Sequence, residues 1–491
     1  MPHDLVFVGP SLPRAQVEAL LPGASILPPV RHGDLLRAGA RAGDRVLIID
    51  GLFLQSAPVR HKEILALLAA GVAVMGSSSM GALRAAELDQ YGMRGVGEVF
   101  ELYRAGVIDG DDEVAVIHTT GDDGYRALSE PLVSMRVAIG EAVRDGAITA
   151  ATGAALLRIA KGLPFRLRSR RMLVQRARQE LPVQVVDQFD AWYRDRARDL
   201  KAADAVAMLT RAARGDPALG PRGPHDRPIT NPVTTHVANW TDRFGGQQVG
   251  ETWVCDSDVA SVIMLLHPGY PELHRRDVLS NLVGLPADAP GLEPAAVADA
   301  ARHALDGQAL GELGVWLSPR ETRDLARPGF ASEAIVRVLV RAFGTVSETA
   351  KTLRCVSAVS DDGARAWARE VAAEAVLANQ LLPRATRPGR LDRLHYRDEV
   401  VDRTYAARWE VEVEDLIEAV WDRGFDSLQT FRRIAEPFVA RLKLGPALEA
   451  PPLRAVAQPG RRCQPGCPTQ QESCISRSAC PVAVLVTRAL S

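Results

Sequence analysis

Near the N-terminus, short continuous apolar runs alternate with stretches of helical periodicity. The runs are "LVFVG" at 5–9, "RVLIID" at 45–50 and "VAVM" at 72–75, with "ASIL" at 24–27 a weaker fourth. A strand with one wet face alternates polar and apolar residues, so uninterrupted runs belong to strands buried on both faces, as in parallel sheets. Between them, "VRHKEILALLAAG" at 59–71 keeps Ile64, Leu67, Leu68 and Gly71 on one helical face. Parallel strands need crossovers, and helices supply them with right-handed connections. The expected fold is therefore an α/β domain with an open, mostly parallel sheet flanked by helices. A further strand is expected at "EVAVIH", 113–118, and helices from Ser129 to about Ala212.

At 491 residues the chain exceeds what one ordinary core holds. The Gly- and Pro-dense segment "ARGDPALGPRGPHDRP" reads as a linker at 213–228, after an α/β domain at 1–212. Beyond it, 229–455 is patterned as a mainly helical domain, and 456–491 as a tail that holds four of the six cysteines. Their spacing, Cys463-x3-Cys467-x6-Cys474-x5-Cys480, permits a structural four-thiolate zinc site, although paired C-x2-C knuckles are missing. Incidental thiols in a tail interrupted by Pro465, Gly466, Pro468 and Pro481 are the alternative. Cys255 and Cys355 stand alone in helical-looking sequence and are expected in the core.

A formal net charge of -1 argues against general nucleic-acid or membrane-surface binding. No run approaches 18 apolar residues and "MPHDLVFVG" is no export signal, so a cytoplasmic protein is expected. The basic run "PFRLRSRRMLVQRARQE" at 164–180 reads first as a solvated helix face, and second as a dock for an acidic protein or peptide.

Ligands of an open parallel sheet sit beyond the carboxyl ends of its strands. Gly9-Pro10-Ser11, "PVRHGD" at 29–34, Asp50-Gly51 and the serines of "GSSSMGALRAAEL" at 76–88 all follow strands and converge on that rim, with His61, Lys62 and Glu63 opening the intervening helix. Gly76 and Gly81 have P-loop spacing, but Ala82 and Leu83 stand where its lysine and hydroxyl residue belong, which rejects a Walker-type ATPase. Ser77-x-Ser79-x-Gly81 is closer to a nucleophile elbow, beside amides suited to an oxyanion. Capping of the following helix is the plainer reading of such serines. A serine nucleophile needs a base, for which His61, His118 and His32 are candidates. Arg84 and Glu87, at i and i+3, pair with each other or leave Arg84 to clamp an anion.

In this order and at these intervals, "FVGPSLP", "PPVRHGDLL", "IIDGLF", "HKEIL", "GSSSMGALRAAEL", "DDEVAVIH" and "LSEPLV" closely resemble the TfuA-like family, over about residues 1–212. The resemblance implies partnership with a YcaO-type cyclodehydratase in peptide backbone thioamidation, with ATP used by that partner and no cofactor required by the TfuA-like domain. It implies recruitment of a thiocarboxylated ThiS-like sulfur carrier and release of sulfide from it, with a precursor peptide as a further partner. Motif residues carried to this chain are Asp50, His61, Glu63, Ser78, Ser79, Arg84, Glu87, Asp112 and His118. The catalytic set expected is Ser79 or Ser78 as nucleophile or oxyanion contact, His61 as base and Asp50 as its orienter. Arg84, Glu87, Glu63, Asp112 and His118 are expected to bind substrate. The alternative is a non-catalytic adaptor that docks carrier or peptide on the YcaO partner, and a third reading is a stand-alone serine hydrolase.

Overall fold

Five parallel strands form the sheet of the N-terminal region: β1 Asp4–Phe7, β2 Ser25–Leu27, β3 Arg45–Ile48, β4 Ala73–Ser77 and β5 Arg94–Val96, in the order β2-β1-β3-β4-β5. The structure is a computed structural model and describes residues 3–52, 56–220, 235–283, 292–304, 313–327, 330–344, 361–382, 391 and 396–453. The apolar runs form strands because alternate residues serve two cores. Leu5, Phe7, Val46, Ile48 and Val74 pack on one side of the sheet, while Val6, Val8, Leu47, Ile49 and Met75 pack on the other. Winding reverses between β1 and β3, and such a reversal opens a crevice at the carboxyl ends of the two strands.

The crossovers are α1 Arg14–Leu20, α2 Asp34–Arg37, α3 His61–Ala69 and α4 Met80–Leu88, followed by α5 Glu98–Arg104. Helices α6 Leu132–Arg144, α7 Ala150–Gly162, α8 Arg170–Glu180 and α9 Val183–Arg196 share their own apolar core around Leu156, Leu173 and Phe189. The last of the series, α10 Leu200–Ala213, returns to the sheet, where Ala205, Met208 and Leu209 pack with Leu47 and Met75.

The strand expected at 113–118 is absent. Asp111–Glu113 is a 3-10 turn, and 114–118 runs extended with a single antiparallel bridge from His118 to Ala127. Three of its backbone groups bond outside a ladder: Lys201 Nζ donates to the Val114 carbonyl, the Ile117 amide donates to Ser129 Oγ, and the Leu128 amide donates to the Ile117 carbonyl. The fifth strand is instead β5, three residues with a central glycine, too short to register as an apolar run. Gly95 is there because a Cβ would lie 2.1 Å from the Phe100 ring.

The chain divides into two compact units, Met1–Asn231 and Pro232–Ser491. The second is mainly helical, but it also holds a hairpin of β6 Gly246–Val249 and β7 Thr252–Cys255, turned at Gly250 with φ +57°. Cys255 is buried as expected, yet it ends a strand rather than sitting in a helix. The helices at Asp256–Leu266 and Asp362–Gln380 supply much of this unit's core, and buried Arg341 is held by Glu321 at 2.7 and 2.9 Å. Residues 221–228 of the expected linker, Cys355, and the tail with Cys463, Cys467, Cys474 and Cys480 lie outside the described residues. No helix among the described residues is long and apolar enough to cross a membrane.

Candidate active site

At the carboxyl edge of the sheet lies a pocket of about 240 Å3. Its floor comes from the residues that leave the strands: Pro10 after β1, Asp50 and Gly51 after β3, and Ser79 after β4. One wall is the extended segment from Val114 to His118; Phe165, Arg166 and Lys201 complete the lining.

The serine turn is built around close backbone approach. A Cβ on Gly81 would lie 1.8 Å from the Ile48 carbonyl oxygen, and one on Gly76 would lie 2.0 Å from that of Gly81. Steric need at the junction of β4 and α4, and not phosphate binding, accounts for the P-loop-like spacing. The Ser79 amide donates to the Ser77 carbonyl at 2.7 Å, making a tight turn centred on Ser78, whose φ of 70° lies in the left-handed region. That conformation costs a non-glycine residue about 1–3 kcal/mol and persists only where surrounding structure enforces it. Ser78 Oγ, fully buried, donates to the Lys201 carbonyl at 2.8 Å. Ser79 occupies the N-cap position of α4, but its hydroxyl makes no capping bond, and the residue lines the pocket. Capping therefore does not explain Ser79. The amides expected to serve an oxyanion are in part taken, since Ser79 N serves Ser77 and Gly81 N serves the Ile49 carbonyl at 3.3 Å.

Asp50, 1% exposed, is not an orienter of His61. Its Oδ2 accepts from the amides of Gly9 and Ser11, both at 2.9 Å, and its Oδ1 accepts from Ser11 Oγ at 2.6 Å. The carboxylate thus ties the loop after β1 to the end of β3, and the charge nearest to it is Lys201 Nζ at 3.8 Å. Burial pushes the Lys201 amine down from its ordinary value, against the opposing pull of Asp50. Sequence reasoning missed this lysine, because it sits on a helix 123 residues beyond Ser78 with no motif around it; only the return of α10 to the sheet brings it to the rim.

His118 lines the pocket, and its Nδ1 donates to the Thr119 carbonyl at 2.7 Å. A carbonyl only accepts, so Nδ1 carries the hydrogen and the lone pair of the neutral ring lies on Nε2. The ring also packs edge-on to Tyr125 at 5.7 Å. Asp112 is not in the lining. It accepts from Arg168 Nη2 at 2.6 Å, while the same guanidinium, 2% exposed, holds the carbonyls of Asp112 and Leu163 at 2.7 and 3.0 Å. This clamp fixes the 163–168 loop, and with it Phe165 and Arg166, against the 114–118 wall. The basic run is accordingly not one solvated helix face: Phe165–Leu167 is a 3-10 turn, Arg168 is interior, and α8 begins at Arg170, which bonds Asp190 at 2.6 Å.

The remaining candidates form two groups outside the lining. His61 Nε2 meets Glu87 Oε2 at 2.8 Å, and Arg84 Nη1 bonds the same oxygen at 2.6 Å, with Arg84 Nε on the Val59 carbonyl. Burial alone would raise the Glu87 carboxyl, but the hydrogen bonds from His61 and Arg84 outweigh it and hold the group below its usual value. Glu63, 2% exposed, accepts from His32 Nδ1 at 2.7 Å, the Gly33 amide at 2.8 Å and the Arg60 amide at 3.1 Å, which pins the loop after β2 to the start of α3. Burial nevertheless raises its carboxyl above the ordinary value. Among the described residues no cluster of three His, Cys, Asp or Glu is arranged to hold a metal ion.

Residues 50–169, which span β3, the serine turn and the 114–118 wall, match the family model described as TfuA-like protein. That family is associated with YcaO-dependent thioamidation. No curated protein matches the chain.

Proposed function

From a chain whose residues 50–169 are TfuA-like, we propose a sulfur-delivery accessory enzyme for YcaO-dependent thioamidation, which takes the thiocarboxylate end of a ThiS-like carrier protein into the rim pocket and releases sulfide. The observation that carries this reading is Ser79: it stands at a helix N-terminus beside a strained residue, uses its hydroxyl for no cap, and lines a pocket with a histidine whose tautomer is fixed. The pocket is smaller than the roughly 300 Å3 at the lower end of drug-sized sites, which suits the end of an extended chain better than a nucleotide. ATP then belongs to the YcaO partner.

In this scheme His118 Nε2 takes the Ser79 hydroxyl proton as Oγ bonds to the thiocarboxylate carbon. The C–S bond breaks as the His118 imidazolium gives that proton to the sulfur, which leaves as HS⁻, with an acyl ester left on Ser79 and His118 neutral again. Water attacks the ester with His118 again as base, restoring the serine and giving the carboxylate, so that RCOS⁻ and H2O become RCOO⁻, HS⁻ and H⁺. Ser78 is a positioning residue in this scheme, and the His61–Arg84–Glu87 group a docking feature of the outer surface.

The test is sulfide release from a thiocarboxylated ThiS-type carrier. Ser79→Ala is expected to lower the rate by about a hundredfold or more with carrier binding retained. Sulfide release unchanged by Ser79→Ala, or stimulation of the YcaO partner that survives with no release at all, selects the adaptor reading instead.

A further inference from the structure

Lys201 is the buried charge of the pocket that the scheme above leaves without a task. It is 4% exposed, and its ammonium, with three donors, has one hydrogen bond among the described residues, to the Val114 carbonyl at 3.2 Å. Asp50 Oδ1 stands 3.8 Å away, beyond hydrogen-bond reach, and already accepts from Ser11 Oγ. Asp50 therefore supplies charge but not the missing acceptor. A buried donor without an acceptor is costly, and the open direction for Lys201 is the pocket it lines. Around that pocket Lys201 and Arg166 set two positive charges against the single carboxylate of Asp50.

We infer that Lys201 is the anion anchor of the pocket, its ammonium binding the carboxylate or thiocarboxylate terminus of an extended acyl chain, with Arg166 at the mouth. The inference deepens the reading of the same pocket and rests on its taking an acyl terminus. The chemistry asks for such a group: attack by an oxygen nucleophile on an anionic thiocarboxylate is opposed by the charge already there, and a buried ammonium neutralises that charge more effectively than a solvated one. Asp199, the N-cap of α10, also favours the ammonium form, and His118 is the other titratable group of the lining.

Binding to the full chain is measured by calorimetry with N-acetylglycine thiocarboxylate, N-acetylglycine and the neutral N-acetylglycinamide. Wild type is expected to bind both anions and to bind the amide at least about tenfold more weakly. Lys201→Met is expected to weaken both anions about tenfold to a hundredfold and to leave the amide unchanged, with a lower melting temperature because Asp50 loses its counter-charge. Lys201→Arg keeps the charge and is expected to keep anion binding within about tenfold, which separates loss of the anchor from loss of fold. Equal binding of amide and anions by wild type, binding of neither anion, or anion binding that Lys201→Met leaves intact overturns the inference. The two readings fail separately: anions held through Lys201 without sulfide release refute hydrolysis alone, and sulfide release by Lys201→Met at an unchanged KM refutes the anchor alone.

Discussion

Replacing Asp50 by Asn separates a structural carboxylate from a catalytic one. The side chain is 1% exposed and receives three hydrogen bonds, two from the amides of Gly9 and Ser11 and one from Ser11 Oγ. An asparagine with its oxygen in the Oδ2 position retains both amides, and the Ser11 hydroxyl turns to accept from the new NH2 group. The number of bonds is conserved while their charge assistance is lost, at about 1 kcal/mol each, so the direct cost is about 3 kcal/mol. The Lys201 ammonium also loses its counter-charge at 3.8 Å, which it escapes by releasing its proton. The sum agrees with the roughly 3–5 kcal/mol found when one partner of a buried pair is removed. For a unit of this size about 3 kcal/mol lowers the melting temperature by roughly 6–12 °C. Calorimetric melting of wild type, Asp50→Asn, Lys201→Met and the double variant reads the effect directly. Asp50→Asn is expected to cost less in the Lys201→Met background, by the part of the loss that comes from the unpaired lysine. A melting temperature unchanged in Asp50→Asn, with sulfide release abolished, refutes the structural assignment and returns Asp50 to the chemistry.

Two further outcomes follow from packing and burial. Gly81→Ala pushes a methyl group to 1.8 Å from the Ile48 carbonyl, so it is expected to cost about 1–3 kcal/mol or more and to displace the serine turn, read as a lower melting temperature together with weakened anion binding. In the second unit His274 is 8% exposed, stacked on Tyr270, and pushed by burial down to about 4. Its folded value lies below the unfolded one of 6.5, so the unfolded chain binds the extra proton first, and stability is lost as pH falls from about 6.5 to about 4, by about 3 kcal/mol in all. Urea unfolding across that range is expected to show the loss in wild type and a flatter profile in His274→Leu; identical profiles contradict the assignment.

The sequence by itself determined the sheet and the rim. The runs at 5–9, 45–50 and 72–75 are apolar without interruption because their strands bury both faces, and that property is local enough to be read without coordinates. With the strands parallel, Pro10, Asp50 and Ser79 had to meet at one edge, and they do. What the residues do there was decided by tertiary structure. Asp50 is a backbone strut because the loop after β1 presents two amides and a hydroxyl to it, and His61 is outside the pocket lining, paired with Glu87 and Arg84. The segment 113–118 has the composition of a strand, but it pairs with neither edge strand of the sheet, and a lysine and a serine side chain bond its Val114 carbonyl and Ile117 amide. Lys201 was invisible for the most general reason. Its burial, its distance from Asp50 and its one hydrogen bond all arise from contacts between segments far apart in the chain, and a charged residue in a helical pattern carries no sign of them.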